Sequence, residues 1–490
     1  MPFERKQKTG ESHLGKKLYK KEIEKLREQL VWKKAPAWES MGETERNRAF
    51  KLSENYKIFL DKAKTEREAV SVILEHALKK GFKNIDEVEN GVAGDKFYKV
   101  HRNKTIALAV IGKQAILSGV NIIASHIDSP RLDLKQNPLY EDQDLALLKT
   151  HYYGGIRKYQ WLTRPLALHG KVITGDGSAI DIKIGELDDD PVFCISDLLP
   201  HLARKSQENK KLSEVFEGEK LNLLVGSLPI GDQSVKDRFR LTVLDLLFKK
   251  YGMKEEDFTS AEIEVVPAGR ARDVGIDRSL VGAYGQDDRI CAFTSLEAML
   301  GLKKPDRTAV ALFFDKEEIG SEGHTGAKSC FMEDFISDLL SKTGPNIDNR
   351  TLRKSLLFSN ALSADVNAAL DPDYPQVHEE KNAPRIGYGT CVTKFTGSGG
   401  KSGSSDADAE YIGRIRRIFN TNHVAWQTGE LGKIDEGGGG TIAKFLAEHG
   451  MNIVDCGPAI LSMHSPFEIA SKADIYMTFN AYKAFYSAKS

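Results

Sequence analysis

Apolar positions along the chain change their period in a way that divides it into regions. Residues 17–34 place Ile23, Leu26 and Leu30 at helical spacing among many charges, which predicts a surface or interface helix. A stronger helical stretch runs through Tyr56, Phe59, Leu60 and Ala63. The next opens on Thr65-x-x-Glu68, a capping-box pattern, and continues through Val70, Ile73, Ala77 and Leu78 until Gly81 ends it. The unbroken periodicity leaves open a single long helix across both. From about residue 106 the pattern becomes short apolar runs, IALAVI and then VNIIAS, which read as core strands.

Residues 130–271 carry β-like pieces such as LHGKVIT and SAIDIKI, with one helix near Val235–Lys250. After 271 apolar strand runs alternate with turns and helices: TAVALFF, then SLLFSNALSAD, then MNIVDCG. That alternation predicts an α/β fold, a mixed and mostly parallel sheet flanked by helices. Residues 1–130 and 272–490 are expected to form one discontinuous α/β domain, interrupted at 131–271 by an inserted β-rich domain. No internal repeat is seen. A chain of 490 residues exceeds what one core supports, which agrees with two lobes.

Composition removes several classes of function. Acidic and basic residues balance at 70 each, so no global field draws nucleic acid or an anionic membrane. Lys-rich stretches such as 202–211 read as solvated surface. The five cysteines are widely spaced without a CxxC pair, which argues against disulfides or a zinc ribbon and fits a reducing compartment. MPFERKQKTGESHLGKK has no apolar h-region and no stretch reaches about 18 apolar residues, so a cytoplasmic location is expected. The glycine-rich run Gly397–Gly403 fails as a phosphate loop, because Phe395 stands where a glycine is needed.

In open α/β sheets ligands bind beyond the carboxyl ends of the strands. Polar residues directly after the apolar runs are therefore the place to look. His126-Ile-Asp128 follows VNIIAS, and Asp128 is placed to fix the tautomer of a ligating His126. Asp287-Asp288-Arg289 opens a helical run; the two carboxylates need a cation, either a metal or Arg289 in a structural salt bridge. TAVALFF runs into Asp315-Lys-Glu317-Glu318, where one glutamate binds metal while its neighbour reaches a metal-activated water. Asp365 follows SLLFSNALSA, and His464 follows MNIVDCGPAILSM. Each alone fits an ordinary core or turn residue. Together they supply two histidines, two aspartates and a glutamate, a mixed N/O set that suits two Zn²⁺-like ions rather than a thiolate site.

These motifs, in this order, resemble the M18 family of metallo-aminopeptidases, the aspartyl aminopeptidase and aminopeptidase I group. The resemblance implies a zinc-exopeptidase-like fold and an enzyme that hydrolyses the N-terminal residue from peptides. It implies Zn²⁺, two per subunit, with Co²⁺ or Mn²⁺ as substitutes. Asp287 would be the bridging carboxylate, with His126 and Asp365 at one ion and Glu318 and His464 at the other. Glu317 would be the general base for the bridging water, and Asp128 the residue that orients His126. The inserted segment would be a dimerisation or lid domain, and the assembly a homo-oligomer, a dodecamer built from dimers. Peptides with a free N-terminus would be substrates, with no nucleic-acid or membrane partner.

Two weaker transfers concern substrate binding. His201, in Leu199-Pro-His201-Leu-Ala, resembles a histidine that reaches a neighbouring subunit's active site. Lys394 resembles a lysine that faces an acidic substrate side chain. Ala368-Ala-Leu-Asp371-Pro372 departs from the His-rich stretch of eukaryotic members, as does the 397–405 loop, which puts an acidic preference in doubt. Two alternatives stand beside the peptidase: another di-metal amidohydrolase such as a carboxypeptidase or deacylase, and a metal-bound scaffold protein without turnover.

Overall fold

Residues 20–344 and 348–489 are described by the computed structural model; the leader reading of residues 1–17 and the start of the first helix lie outside them. Described residues 20–35 belong to a unit of their own, with the helix Lys20–Leu30, in which Ile23, Leu26 and Leu30 are exposed. Residues 36–490 cohere as a second unit.

In that second unit the two expected helices are separate, Glu43–Lys62 and Glu66–Lys79. The break is made by the capping box. Thr65 Oγ1 accepts from the Glu68 N–H while Glu68 Oε2 accepts from the Thr65 N–H. Gly81, at φ +79°, lets the chain turn out of the second helix.

The large sheet has ten strands, and its middle decides the chemistry. Ala309–Phe314, Asn121–His126, Asn360–Ser363 and Asn452–Ile460 lie side by side, all parallel. Antiparallel strands extend both flanks, with Thr105–Val110 against Ala309–Phe314 and Thr390–Thr393 against Asn452–Ile460. Buried on both faces, the strands AVALFF and NIIASH carry no polar alternation, as parallel core strands do not. The expectation for SLLFSNALSAD needs correction. Ser355–Leu357 closes the helix Asn349–Leu357, and only Asn360–Ser363 is strand. Apolar periodicity in so short a run does not distinguish a buried strand from the last turn of a helix.

A second sheet of six strands is drawn wholly from residues 131–267 and is antiparallel throughout. It has its own hydrophobic cluster around Trp161, Leu166, Val265 and Val266. A helix at Arg238–Tyr251 stands where one was expected. A third, three-stranded sheet pairs Leu280–Ala283 with Glu468–Ser471. From Leu280–Ala283 the chain enters the span Gln286–Leu300, almost entirely buried, in which Asp287 and Asp288 form a non-helical kink ahead of the helix proper. All five cysteines are free thiols. Among the described residues no helix is long and apolar enough to cross a membrane.

Candidate metal centre

Strand register gathers the acidic residues. Phe314 pairs with His126 and Ser363 with Ala124, so the segments leaving these strands start at nearly one level. Asp365 lies two residues beyond Ser363, the same step that carries Ala124 to His126. Asp287 and His464 approach from the third sheet and from the loop after Asn452–Ile460.

His126 Nε2 lies 3.2 Å from Asp287 Oδ1 and 3.9 Å from Asp365 Oδ1. His464 Nε2 lies 3.3 Å from Asp287 Oδ2 and 3.5 Å from Glu318 Oε2. Asp287 thus offers one oxygen to each histidine. Two ligand groups share it, His126–Asp287–Asp365 and Asp287–Glu318–His464, with the ligand atoms of each group within 4.8 Å of one another. Tetrahedral zinc with bonds of about 2.0–2.1 Å needs ligand atoms about 3.3–3.4 Å apart, close to what is observed.

The far side of each ring is occupied. His126 Nδ1 donates toward the Asp128 carbonyl at 3.2 Å, with Asp128 Oδ1 at 3.3 Å. His464 Nδ1 donates to the Gly155 carbonyl at 3.2 Å. Both Nε2 lone pairs are therefore left facing Asp287, which requires a cation or a proton between nitrogen and carboxylate. The second outcome shows in the basicity of the rings when no cation is bound. Burial works against the charge of His464, but Asp287 and Glu318 outweigh it and push its pKa up to about 10. His126 is raised well above its ordinary value, with Asp128 and Asp287 overcoming burial.

The carboxylates report the same shortage of positive charge. Burial raises Glu318, Asp365 and Asp288 well above the usual range, and Asp287 adds to each shift. Burial, partly offset by His126 and reinforced by Asp128 and Asp287, pushes Glu317 up to about 7. Glu318 Oε1 is buried without a hydrogen-bond partner. These are residues that fit divalent ions.

Arg289 does not neutralise the aspartate pair. Its guanidinium donates to Ser129 Oγ at 2.7 Å and to the Lys64 carbonyl at 2.9 Å, and it forms no ion pair with either aspartate. Asp288 instead accepts the His126 N–H at 3.3 Å, and the Asp287–Asp288 peptide is cis.

Two carboxylates brace the centre. Asp128 accepts the N–H groups of Glu317 and Glu318 at 3.1 and 3.2 Å and the Tyr153 hydroxyl at 2.8 Å. Glu468 plays the corresponding part on the other side, accepting the His464 N–H at 2.7 Å and the Asp287 N–H at 3.0 Å. His464 sits at φ +64°, uncommon for a residue with a side chain, and Glu468 is one of the groups that hold it there. Neither Glu468, Tyr153 nor Gly155 stands out in the sequence. Glu468 arrives because Ala283 pairs with it across the third sheet.

A cavity of about 450 Å³ opens on Asp287, Glu317, Glu318, Asp365 and His464, lined further by Thr393, Thr396, Leu431, Gly439, Lys444 and Phe445. His201 and Lys394 are not among its lining residues. His201 is exposed on the short helix Pro200–Ser206, and Lys394 pairs with Asp406 at 2.6 Å.

The sequence signature of the family described as aminopeptidase I zinc metalloprotease (M18) matches residues 59–486. A relative from Borreliella afzelii named a probable M18 family aminopeptidase 1 is 52% identical over 456 residues, covering 93% of this chain and 99% of the relative. The crystal structure of an M18 family aminopeptidase from Thermotoga maritima superposes with a TM-score of 0.90 at 45% identity, covering 93% of this chain and 100% of that one. The yeast mApe1 dodecamer shares the fold, with a TM-score of 0.73 at 22% identity over 90% of this chain and 97% of that one.

Proposed function

The chain belongs to the M18 family of zinc metalloproteases and is an aminopeptidase, and from that premise we propose that it removes N-terminal residues at a centre of two zinc ions bridged by Asp287. The observation that carries this reading is the shared carboxylate: each oxygen of Asp287 faces Nε2 of a different histidine. His126 and Asp365 would hold one ion, Glu318 and His464 the other, with Co²⁺ or Mn²⁺ as substitutes. Bound there, the ions supply Lewis acidity toward the scissile carbonyl and toward water.

The protein's own groups do the proton handling. Glu317 falls in neither Asp287-centred group, although with His126 and Glu318 it forms a third cluster of possible ligands; as general base its carboxylate would take a proton from the attacking water and return it to the leaving nitrogen. Asp128 keeps the His126 ring turned and holds the peptide from which Glu317 projects. The cavity beside them takes the substrate's first residue.

The wider assembly follows as part of the same proposal. Residues 131–271 act as an inserted dimerisation or lid domain of a discontinuous catalytic domain (1–130 and 272–490). The subunits form a homo-oligomer, a dodecamer like that of yeast mApe1, in the cytoplasm. His201, exposed on its own subunit, would serve a neighbour's cavity; Lys394 would have to leave Asp406 to meet a substrate. A peptide panel with free or acetylated N-termini, assayed with zinc, cobalt and manganese, tests the reaction class. Cleavage confined to free amines is expected. Equal cleavage of acetylated peptides would favour a deacylase or carboxypeptidase, and no cleavage at all a scaffold.

A further inference from the structure

Tyr153 ends the strand Leu145–Tyr153 of the antiparallel sheet, yet its hydroxyl reaches Asp128 Oδ2 at 2.8 Å. The Asp128 carboxylate faces the His126 ring and takes the N–H groups of both Glu317 and Glu318. Its two oxygens accept the fixed main-chain donors from one side, and Tyr153 supplies a side-chain donor from the other sheet. Two residues on, the Gly155 carbonyl receives the His464 ring. A stretch of three residues thus touches both halves of the metal centre.

The position of Tyr153 is itself tied down. The Arg131 guanidinium lies over its ring, 3.9 Å from the centroid. Arg131 is buried and faces Asp133 at 2.8 Å, Glu264 at 3.4 Å and Glu66 at 3.4 Å. Glu66 is also fully buried and takes Lys104 at 2.9 Å. Asp133 and Glu264 belong to the antiparallel sheet, whereas Glu66 opens the helix Glu66–Lys79 and Lys104 immediately precedes a strand of the large sheet. The charges around Arg131 therefore come from both sides of the seam. Buried ion pairs of this kind add little net stability, because desolvation consumes the Coulomb gain, but removing one partner is costly. They define where two bodies sit.

Resting on the reading of the centre as a metal site, we propose that Tyr153 is a positioning residue for it. The Arg131–Glu66 seam sets where Tyr153 stands, so that the seating of the antiparallel sheet determines the alignment of Asp128 and, through it, of His126, Glu317 and Glu318. The sheet is in this sense part of the metal centre.

Tyr153→Phe tests the proposal, because it deletes one hydrogen bond and keeps the ring beneath Arg131. Zinc affinity, read by chelator competition, is expected to fall about 10–100-fold, the usual effect of losing a group that orients a ligand. In the metal-free protein the Glu317 and Glu318 amides should exchange hydrogen faster, while the melting temperature stays near that of the parent. On peptides kcat should fall with KM within about twofold, since positioning of the base is disturbed and the cavity is not. Tyr152→Phe, at an exposed ring one residue away, is the control and should change none of these. Arg131→Lys retains charge but loses the planar stack, and should give a smaller loss of the same kind. Wild-type zinc affinity together with wild-type exchange at both amides in Tyr153→Phe would overturn the proposal, and wild-type affinity in Arg131→Lys would remove the seam from it. Neither readout requires turnover, so a protein that cleaved no peptide would refute the peptidase reading and leave this one decided separately.

Discussion

The two halves of the metal centre are enclosed to different degrees. The His126 side chain is 2% exposed and stands on a central parallel strand whose residues are buried from end to end. The His464 side chain is 37% exposed, sits in a loop at positive φ, and relies on Glu468 and on the Gly155 carbonyl, two residues past the strand Leu145–Tyr153, for its direction. A ligand on a strand inherits the rigidity of the sheet, whereas a ligand on a loop has to be held by added contacts. The His126 half is the anchor. His464 lines the cavity, whereas on the other half Asp365 does and His126 does not.

Four measurements break or sharpen that contrast. Glu317→Gln removes the base and touches neither half's shared ligands, so kcat should fall about 10²–10⁴-fold while both zinc equivalents remain bound; an active variant would end the assignment. His126→Ala should weaken zinc more than His464→Ala in chelator titrations, and the reverse order would contradict the anchor reading. Asp128→Asn and Glu468→Gln alter the two braces, and each should cost about 10–100-fold in zinc affinity. The Glu468 variant is expected to loosen the ion at His464 more than the other, since Glu468 holds the His464 N–H as well as that of the shared Asp287.

The smallest effect lies in the seam, at His169. Its ring meets Glu68 at 2.9 Å and Glu186 at 3.0 Å. Burial opposes its charge, but the two glutamates outweigh it and raise its pKa above 6.5. Glu68, against burial, is lowered to about 2, chiefly by His169. A raised histidine stabilises fully below its unfolded value and loses that contribution as pH rises through its folded value. A lowered glutamate contributes above 4.5 and loses it as pH falls toward about 2. The seam is therefore firmest between about 4.5 and 6.5, and the melting-temperature deficit of His169→Asn should shrink as pH climbs above that window. A pH-independent deficit would show that the ring acts by packing alone.

Much of the centre was legible because the strands themselves point to it. NIIASH, TAVALFF and MNIVDCG each run apolar into a polar break, and the residues at or soon after those breaks, His126, Glu317, Glu318 and His464, are the ones the structure gathers. The capping box at Thr65 was legible as a local signal, but the unbroken periodicity around it left one long helix open until the structure showed two. What escaped depends on pairings distant in sequence. Glu468 reaches Asp287 only through the strand pairing of Ala283 with Glu468, and Tyr153 reaches Asp128 only through the meeting of two sheets. Arg289 invited a salt bridge with the adjacent aspartates, but a buried guanidinium beside Ser129 and the Lys64 carbonyl had other acceptors. Lys394, chosen on resemblance, already has a partner in Asp406.

Asp287 as the bridge between two ions is the claim on which the rest hangs. Anomalous diffraction from zinc-loaded crystals, recorded on both sides of the zinc edge, measures it directly. Two peaks about 3.5–4 Å apart, one beside each Asp287 oxygen, are the expected result. A single peak, or peaks away from Asp287, would contradict it.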